Sequence, residues 1–508
     1  MIAVELDRRS GVPFYLQIVR QVRSAVETGA VALRDRLPTT RDLARRLGVN
    51  RLTVTRAYAE LAREGWLDAH VGRGSFVSRP PAPVEVVNGE EAGGGDLAWP
   101  SLFARLPGRA VDTASPFGGG GDLRKGTVSF ASVFPDPSLF PVEVFRHCLD
   151  EVLRKEGHRV LAYGAPGGYA PLREMIAAQL TTRGIKVTRD QVVITSGSQQ
   201  GIDLVARALL DPGDVVLVEN PTYTGAVQVF HSYGAELAGA PLDAEGISLP
   251  HVERVLSRRA PKLMYLMPNF QNPTSETMSL SRRRALVRLA ASRRLPILED
   301  DFGGDLRFEG PDLPALKALE GGEEVIYMAT FAKKLLPGLR VGWIAAPRQV
   351  AERLVALKKI TDYGTSLLLQ AALCEFLRRG EMERHLAHVI EQYRARRDAM
   401  LSAMKRCFPG DATWTRPAGG LVVWVTLPPG VDADEVAVSA AARGVLVGRG
   451  DLFHVEGGAR NNLRLTFSQA GVREIHRGIR LLGDVIHKAM RERRAPAREG
   501  AGESLPLI

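Results

Sequence analysis

The sequence predicts a multidomain chain: a small, mainly α N-terminal module followed by a large α/β body with a mostly parallel sheet. Three observations carry that prediction. The chain has 508 residues, too many for a single hydrophobic core. Basic residues crowd its first 80 positions. From about Val128, short apolar runs alternate with longer amphipathic ones, the pattern of strands joined by crossover helices.

Composition sets the outer limits. With 45% hydrophobic and 24% charged residues the make-up is that of a globular protein. No apolar run approaches the roughly 18 residues a membrane span needs, so no membrane partner is expected. The start, MIAVELDRRSGVPFY, lacks a basic segment followed by an apolar one, so no secretory signal is expected and the location reads as cytoplasmic. Cys148, Cys374 and Cys407 are odd in number and widely spaced, which suits a reducing compartment and suggests neither a disulfide framework nor a metal site. Residues 1–80 hold 14 Arg, no Lys and 8 Asp or Glu, a net +6 out of +10 for the whole chain. That asymmetry points to an anionic partner for the N-terminal module, and nucleic acid is the usual one.

The module is placed at residues 1–78. Leu43 and Leu47 at i, i+4 suggest a helix that Gly48 ends, and Asn50 can cap the next. In that second helix Val54, Ala57, Tyr58 and Leu61 share a face, leaving Arg51, Thr53 and Arg56 off it. A helix, a tight turn and a helix with Arg and Thr at its start form the helix-turn-helix plan, whose second helix enters the major groove. WLDAHVGRGSFV then reads as a hairpin wing carrying Arg73 near its tip. The segments LPTTRDLARRLGVNRLTV, AYAELAREG and GRGSFV resemble the winged helix-turn-helix of the GntR regulators. The resemblance implies that Arg41, Asn50, Arg51, Thr53 and Arg73 contact double-stranded operator DNA.

Residues 79–127, rich in Pro and Gly, read as a flexible linker. The body is placed at 128–485, with VVIT, VVLVE, LMYLMP, PILEDD, VIYMAT and VGWIAA as strands, and 486–508 as a disordered tail. Polar clusters follow several of these strands, and in parallel sheets ligands gather at strand carboxyl ends. TSGSQQG offers a phosphate cradle at a helix start, with Ser198 in it. ENPTYTG places Tyr223 where its ring can stack on a flat ligand, and PNFQNPTS holds Asn272 in a rigid loop. Glu299, Asp300 and Asp301 end one strand, and Lys333 and Lys334 follow another, with Arg340 beyond a Pro-Gly turn. One cofactor uses a phosphate cradle, a stacking aromatic, an asparagine, a strand-end acid and a strand-end lysine together: pyridoxal 5′-phosphate (PLP).

PNFQNPTS, the strand-end EDD, TFAK and PGLRVG, in that order, resemble the fold-type I PLP-dependent transferases, the aminotransferases of class I and II. That fold has a large, mostly parallel sheet domain and a smaller C-terminal α/β subdomain, here expected beyond about residue 365. In the family pattern the Schiff-base lysine lies three residues after the Ser/Thr and seven before the Arg. Lys333 fits both from Thr330 and Arg340, leaving Lys334 without a covalent role. The resemblance further implies that Asp300 pairs with the pyridine nitrogen, Asn272 bonds the ring hydroxyl and Tyr223 stacks on the ring. Ser196, Ser198, Gln199, Thr330 and Arg340 would surround the phosphate, Tyr163 would reach the partner subunit's site, and Arg464 would clamp an effector or substrate carboxylate. A neighbouring cation, Lys334, is expected to depress the pKa at Lys333. The sequence departs from the pattern at Phe302, where Tyr is usual, at Val133, where Gly is usual, and at Ala332, where Ser is common. These departures count against efficient transamination.

A winged helix-turn-helix, a linker and an aminotransferase-like domain together resemble the MocR/GabR subfamily of GntR regulators. The expectation is a PLP-dependent regulator, a head-to-tail homodimer, that senses an amino compound or PLP through aldimine chemistry at Lys333. The alternative is an active class I/II aminotransferase carrying a DNA-binding head.

Overall fold

The computed structural model describes residues 4, 6, 14–27, 31, 35, 37–63, 66–70, 74–78, 126–457 and 460–494. The chain divides into two compact units, Met1–Ala104 and Arg105–Ile508.

In the first unit, helices α1 (Phe14–Glu27), α2 (Thr40–Leu47) and α3 (Arg51–Arg63) precede a hairpin of β1 (Leu67–His70) and β2 (Gly74–Val77). The Thr39 hydroxyl caps α2 by accepting from the Asp42 N–H at 3.2 Å. Gly48, at φ 63°, ends the helix in the left-handed region that glycine enters without steric cost. Ile18, Val22, Val54, Ala57 and Leu61 are fully buried at 0%, and Tyr58 packs beside them, so the apolar stripe of α3 is the core of the unit. The wing pairs antiparallel, Leu67 against Val77 and His70 against Gly74. It is fastened to the segment before α2 by Leu37 N–H to Ser75 carbonyl and Val77 N–H to Asp35 carbonyl, each 2.9 Å. The expected linker, 79–127, lies outside the described residues up to 125.

The second unit opens with β3 (Val128–Phe130) and then builds a sheet of eight strands. In chain order these are β4 (Val192–Thr195), β5 (Val215–Asn220), β6 (Glu236–Asp243), β7 (Gly246–Ile247), β8 (Pro261–Leu266), β9 (Ile297–Asp300), β10 (Ile326–Thr330) and β11 (Gly342–Ala345). Their spatial order is β4-β11-β10-β9-β8-β5-β6-β7. All six expected strands are present. β11 runs antiparallel to both neighbours and β7 antiparallel to β6; the other pairs are parallel. The carboxyl ends of β4, β5, β8, β9 and β10 therefore share one edge of the sheet. Buried apolar residues on both faces explain the nearly continuous hydrophobic runs of these strands.

The small subdomain has a sheet ordered β12 (Thr413–Trp414), β13 (Val422–Thr426), β15 (Asn462–Thr466), β14 (Val445–Arg449) and β3. Two expectations need correcting here. The subdomain does not begin at about 365: helix Leu367–Arg378 buries Ala372, Leu373 and Phe376 against Phe145, Leu172 and Ile176 in the large-sheet core. The subdomain begins instead with helix Glu381–Cys407, after Gly380 at φ 68°, and it borrows β3 from the start of the body, paired parallel to β14. The boundary at 485 also moves. Helix Val472–Arg494 runs through it, because Leu482, Val485 and Ile486 are buried and Ala489 and Met490 pack on the same core. The rest of the expected tail, 495–508, lies outside the described residues. Among the described residues no helix is long and apolar enough to cross a membrane.

Candidate functional site

The shared strand-end edge and the small subdomain enclose a cavity of about 300 Å³. Ser198, Gln199, Tyr223, Asn272, Asp300, Thr330, Lys333, Arg340 and Arg464 all line it. They arrive from separate elements: the turn after β4, the loop after β5, the loop after β8, the last residue of β9, the end of β10 and the turn beyond it, and the middle of β15.

The acidic run at the end of β9 sorts by strand alternation. Glu299 points away from the cavity and accepts from the Leu316 and Lys317 N–H groups at 2.7 and 3.0 Å. Asp301 accepts from Tyr327 (2.6 Å) and Asn269 (3.0 Å). Only Asp300 faces the cavity. The Tyr265 hydroxyl donates to its Oδ2 at 2.8 Å, while its Oδ1 is buried without a partner. Burial pushes the Asp300 carboxyl up to about 7, opposed by the Tyr265 hydrogen bond. A buried orphan acceptor costs about 1–3 kcal/mol, so this one is set for a donor that enters from the cavity.

The two lysines part company in the same way. The Lys333 ammonium donates to the Val133 carbonyl at 2.8 Å inside the cavity. Burial, then the charges of Arg464 and Arg340, lower its pKa to about 8. Lys334 turns away, pairs with Asp305 and sits 5.3 Å from the Phe331 and Trp343 rings. The expectation that Lys334 tunes Lys333 is therefore corrected: the ion pair neutralises Lys334, and the cations acting on Lys333 are the two arginines.

At the start of helix Ser198–Leu209 the Ser198 hydroxyl is buried and unpartnered. Gly197 has φ 88°, and a Cβ there would come within 2.7 Å of the Arg340 guanidinium, so backbone, hydroxyl and arginine form a close cradle for an anion. Arg340 donates to the Ser196 carbonyl at 3.0 Å. Ser196 itself does not line the cavity; its hydroxyl lies 3.0 Å from the Thr365 hydroxyl and 3.4 Å from Asp362. Beneath the turn, buried Lys358 bonds Asp362 and Gln200 at 2.7 and 2.9 Å, and Gln200 accepts the Ser196 N–H at 2.7 Å. The Tyr223 hydroxyl donates to Gln199 at 3.2 Å. The Thr330 hydroxyl accepts the Ala332 N–H at 3.1 Å, shaping the turn that carries Lys333.

Arg464 donates to Asn272 Oδ1 at 3.3 Å and to the Ala131 carbonyl, while its Nε is buried without a partner. Burial lowers its pKa to about 10. Its hydrogen bonds go to neutral oxygens, and among the described residues no carboxylate pairs with it. Val133 and Phe302 line the cavity. Val133 also packs on the small-subdomain core, and Phe302 on the cluster between the large sheet and its flanking helices. Tyr163 does not line its own chain's cavity; it is 93% exposed, its ring 6.2 Å from that of Tyr363. Tyr265 and the Lys358–Asp362–Gln200 network were missed from sequence, although a tyrosine inside an otherwise apolar strand was a usable signal.

In the first unit Arg41, Asn50 and Arg51 are exposed and Thr53 is half-buried, all at the amino-terminal ends of α2 and α3 or between them. Arg51 Nε donates to the Thr40 hydroxyl at 3.4 Å. Arg56 stacks over Tyr15 at 4.1 Å. Arg73 lies outside the described residues.

Strand-end lysine, orphan carboxylate and phosphate cradle fit PLP and define a fold-type I transferase site; the first unit is a winged helix-turn-helix. Residues 134–479 match the family model "Aminotransferase class I and II", and residues 14–77 match "Bacterial regulatory proteins, gntR family". The uncharacterized HTH-type transcriptional regulator YisV of Bacillus subtilis (strain 168) is 33% identical over 485 residues, covering 95% of this chain and 98% of its own length. The probable rhizopine catabolism regulatory protein MocR of Rhizobium meliloti is 31% identical over 402 residues, 79% of each chain. Among solved structures, the α-aminoadipate aminotransferase LysN of Thermus thermophilus, complexed with N-(5′-phosphopyridoxyl)-L-leucine, superposes with a TM-score of 0.72 at 35% identity. The match covers 78% of this chain and 100% of that one. The chain belongs to the aminotransferase class I and II family and carries a GntR-type DNA-binding domain ahead of it, as in the MocR regulators.

Proposed function

We propose that this chain is a cytoplasmic, PLP-dependent transcriptional regulator whose aminotransferase-like body senses an amino compound, or PLP itself, at Lys333. The single observation that carries this reading is the convergence of Lys333, the orphan Oδ1 of Asp300 and the orphan hydroxyl of Ser198 on one cavity. Bound PLP supplies an aldehyde and an electron-withdrawing ring. The chain's own groups do the rest. Lys333, with its pKa lowered to about 8, offers a far larger neutral amine fraction near neutral pH than a free lysine. The unpartnered Oδ1 of Asp300 would meet the ring nitrogen and favour its protonated form, while Tyr265 fixes the other oxygen. Ser198, Gln199, Thr330 and Arg340 would hold the phosphate, Tyr223 would cover the ring, Asn272 would meet the ring hydroxyl and Arg464 would take a carboxylate.

Arg464 and Phe453 belong to the small subdomain, and Lys333 and Asp300 to the large one. A compound bridging them has different affinity for open and closed arrangements, which is the requirement for allosteric control. Head-to-tail dimerisation, with Tyr163 serving the partner's phosphate site, would give two DNA-binding heads and raise operator affinity through effective concentration. Arg41, Asn50, Arg51, Thr53 and Arg73 are the proposed DNA contacts.

The test is an absorbance titration of PLP-loaded protein with candidate amines, with and without operator DNA. A spectral response coupled to operator affinity supports sensing. Complete retention of Lys333, Asp300 and Arg464 keeps a working aminotransferase as the second reading. Steady-state turnover near the enzyme median of about 10 per second would favour it.

A further inference from the structure

The walls of the cavity carry information about the side chain of its amino compound. Phe134 lies beside Lys333, its ring 5.8 Å from the amine, and is 38% exposed. Phe453 lies 4.8 Å from the Arg464 guanidinium, and Trp424 holds it edge-on at 5.8 Å and 84°. Val133, Val447 and Leu452 complete an apolar wall. Four cations line the cavity: Lys333, Arg340, Arg449 and Arg464. The proposed function uses three of them, leaving Arg449 as the group that could greet a second carboxylate. Arg449 is closed off. Its Nε and Nη2 bond Asp451 at 3.1 and 2.6 Å, and its Nη1 lies 3.0 Å from Asp434. All three guanidinium nitrogens are committed to carboxylates, and two negative charges stand behind the one positive.

We infer that the cavity selects α-amino acids with uncharged, apolar side chains over dicarboxylic ones, and that the Arg449–Asp451–Asp434 clamp enforces the choice. An apolar side chain gains by leaving water against Phe134, Leu452 and Phe453. A second carboxylate would lose its hydration next to a cation already neutralised, and close to Asp451. The inference rests on the amino-compound reading of the site.

The experiment titrates PLP-loaded full-length protein with L-leucine, L-phenylalanine, L-glutamate and 4-aminobutanoate, read by absorbance and by calorimetry. Leucine or phenylalanine is expected to bind at least about tenfold more tightly than glutamate. Asp451→Asn and, separately, Asp434→Asn are expected to tighten glutamate about threefold or more and leave leucine unchanged, because each frees part of Arg449. Glutamate or 4-aminobutanoate binding as well as leucine overturns the selectivity while amino-compound sensing stands. An unchanged leucine-to-glutamate ratio in both variants overturns the role of the clamp. Silence from all four probes overturns the amino-compound reading on which the inference rests and leaves PLP itself as the sensed molecule.

Discussion

Adjacent lysines at the end of β10 have opposite fates, and the difference is local electrostatics. Lys333 is desolvated beside Arg464 and Arg340; Lys334 is buried against Asp305 and two aromatic rings. Lys333→Ala is expected to abolish covalent retention of PLP while leaving thermal unfolding of the apoprotein nearly unchanged. Lys334→Ala should do the reverse, costing about 1–3 kcal/mol by removing one of the two cations on Asp305 and leaving Arg183 as its remaining partner. The depressed pKa of Lys333 also fixes a pH dependence. The rate at which apoprotein captures the PLP aldehyde should rise with pH to a midpoint near 8 rather than the 10.5 of a free lysine, as stopped-flow absorbance would read. The stability sign follows from the same shift: between 8 and 10.5 the unfolded lysine holds its proton and the folded one does not, so apoprotein stability gains with pH across that window and Lys333→Met removes the gain. At this scale the sequence was informative. The resemblance to the fold-type I pattern picked Asp300 out of the acidic run, and the motif spacing singled out Lys333. What it could not give was the direction of Lys334, which depends on Asp305, a residue 29 positions away in the chain.

Elements carry the next layer. The turn from β4 into helix Ser198–Leu209 works because Gly197 adopts a backbone conformation that L side chains rarely enter. Gly197→Ala should weaken PLP binding about tenfold, since strain of this kind is on the order of 1–3 kcal/mol, and fluorescence titration of the apoprotein would register it. In α3, Arg51→Ala should cost about 1–3 kcal/mol of specific operator binding if the side chain reads a base, measured as a shift in footprint midpoint. An unchanged footprint would remove Arg51 from the reading surface. The central strands were legible as short continuous apolar runs, and α3 because its apolar face repeats at helical spacing. β3 was not, since its three residues find their partner in β14, more than 300 residues later. The end of the final helix was hidden for another reason. The charged run RERR drew attention from Leu482, Ile486, Ala489 and Met490, whose spacing keeps one face on the core.

For the molecule as a whole, a basic head and a nearly balanced body make two regimes of binding. Operator affinity should fall steeply between about 50 and 200 mM salt, as counterion release requires, while binding of an amino compound to the body should change little. Both regimes matter to regulation only if one side chain captures the cofactor covalently. The most direct measurement is borohydride reduction of PLP-saturated protein followed by peptide mass mapping. The expected result is a phosphopyridoxyl group on Lys333 alone. A label on Lys334, or none on either lysine in protein holding PLP, would contradict it.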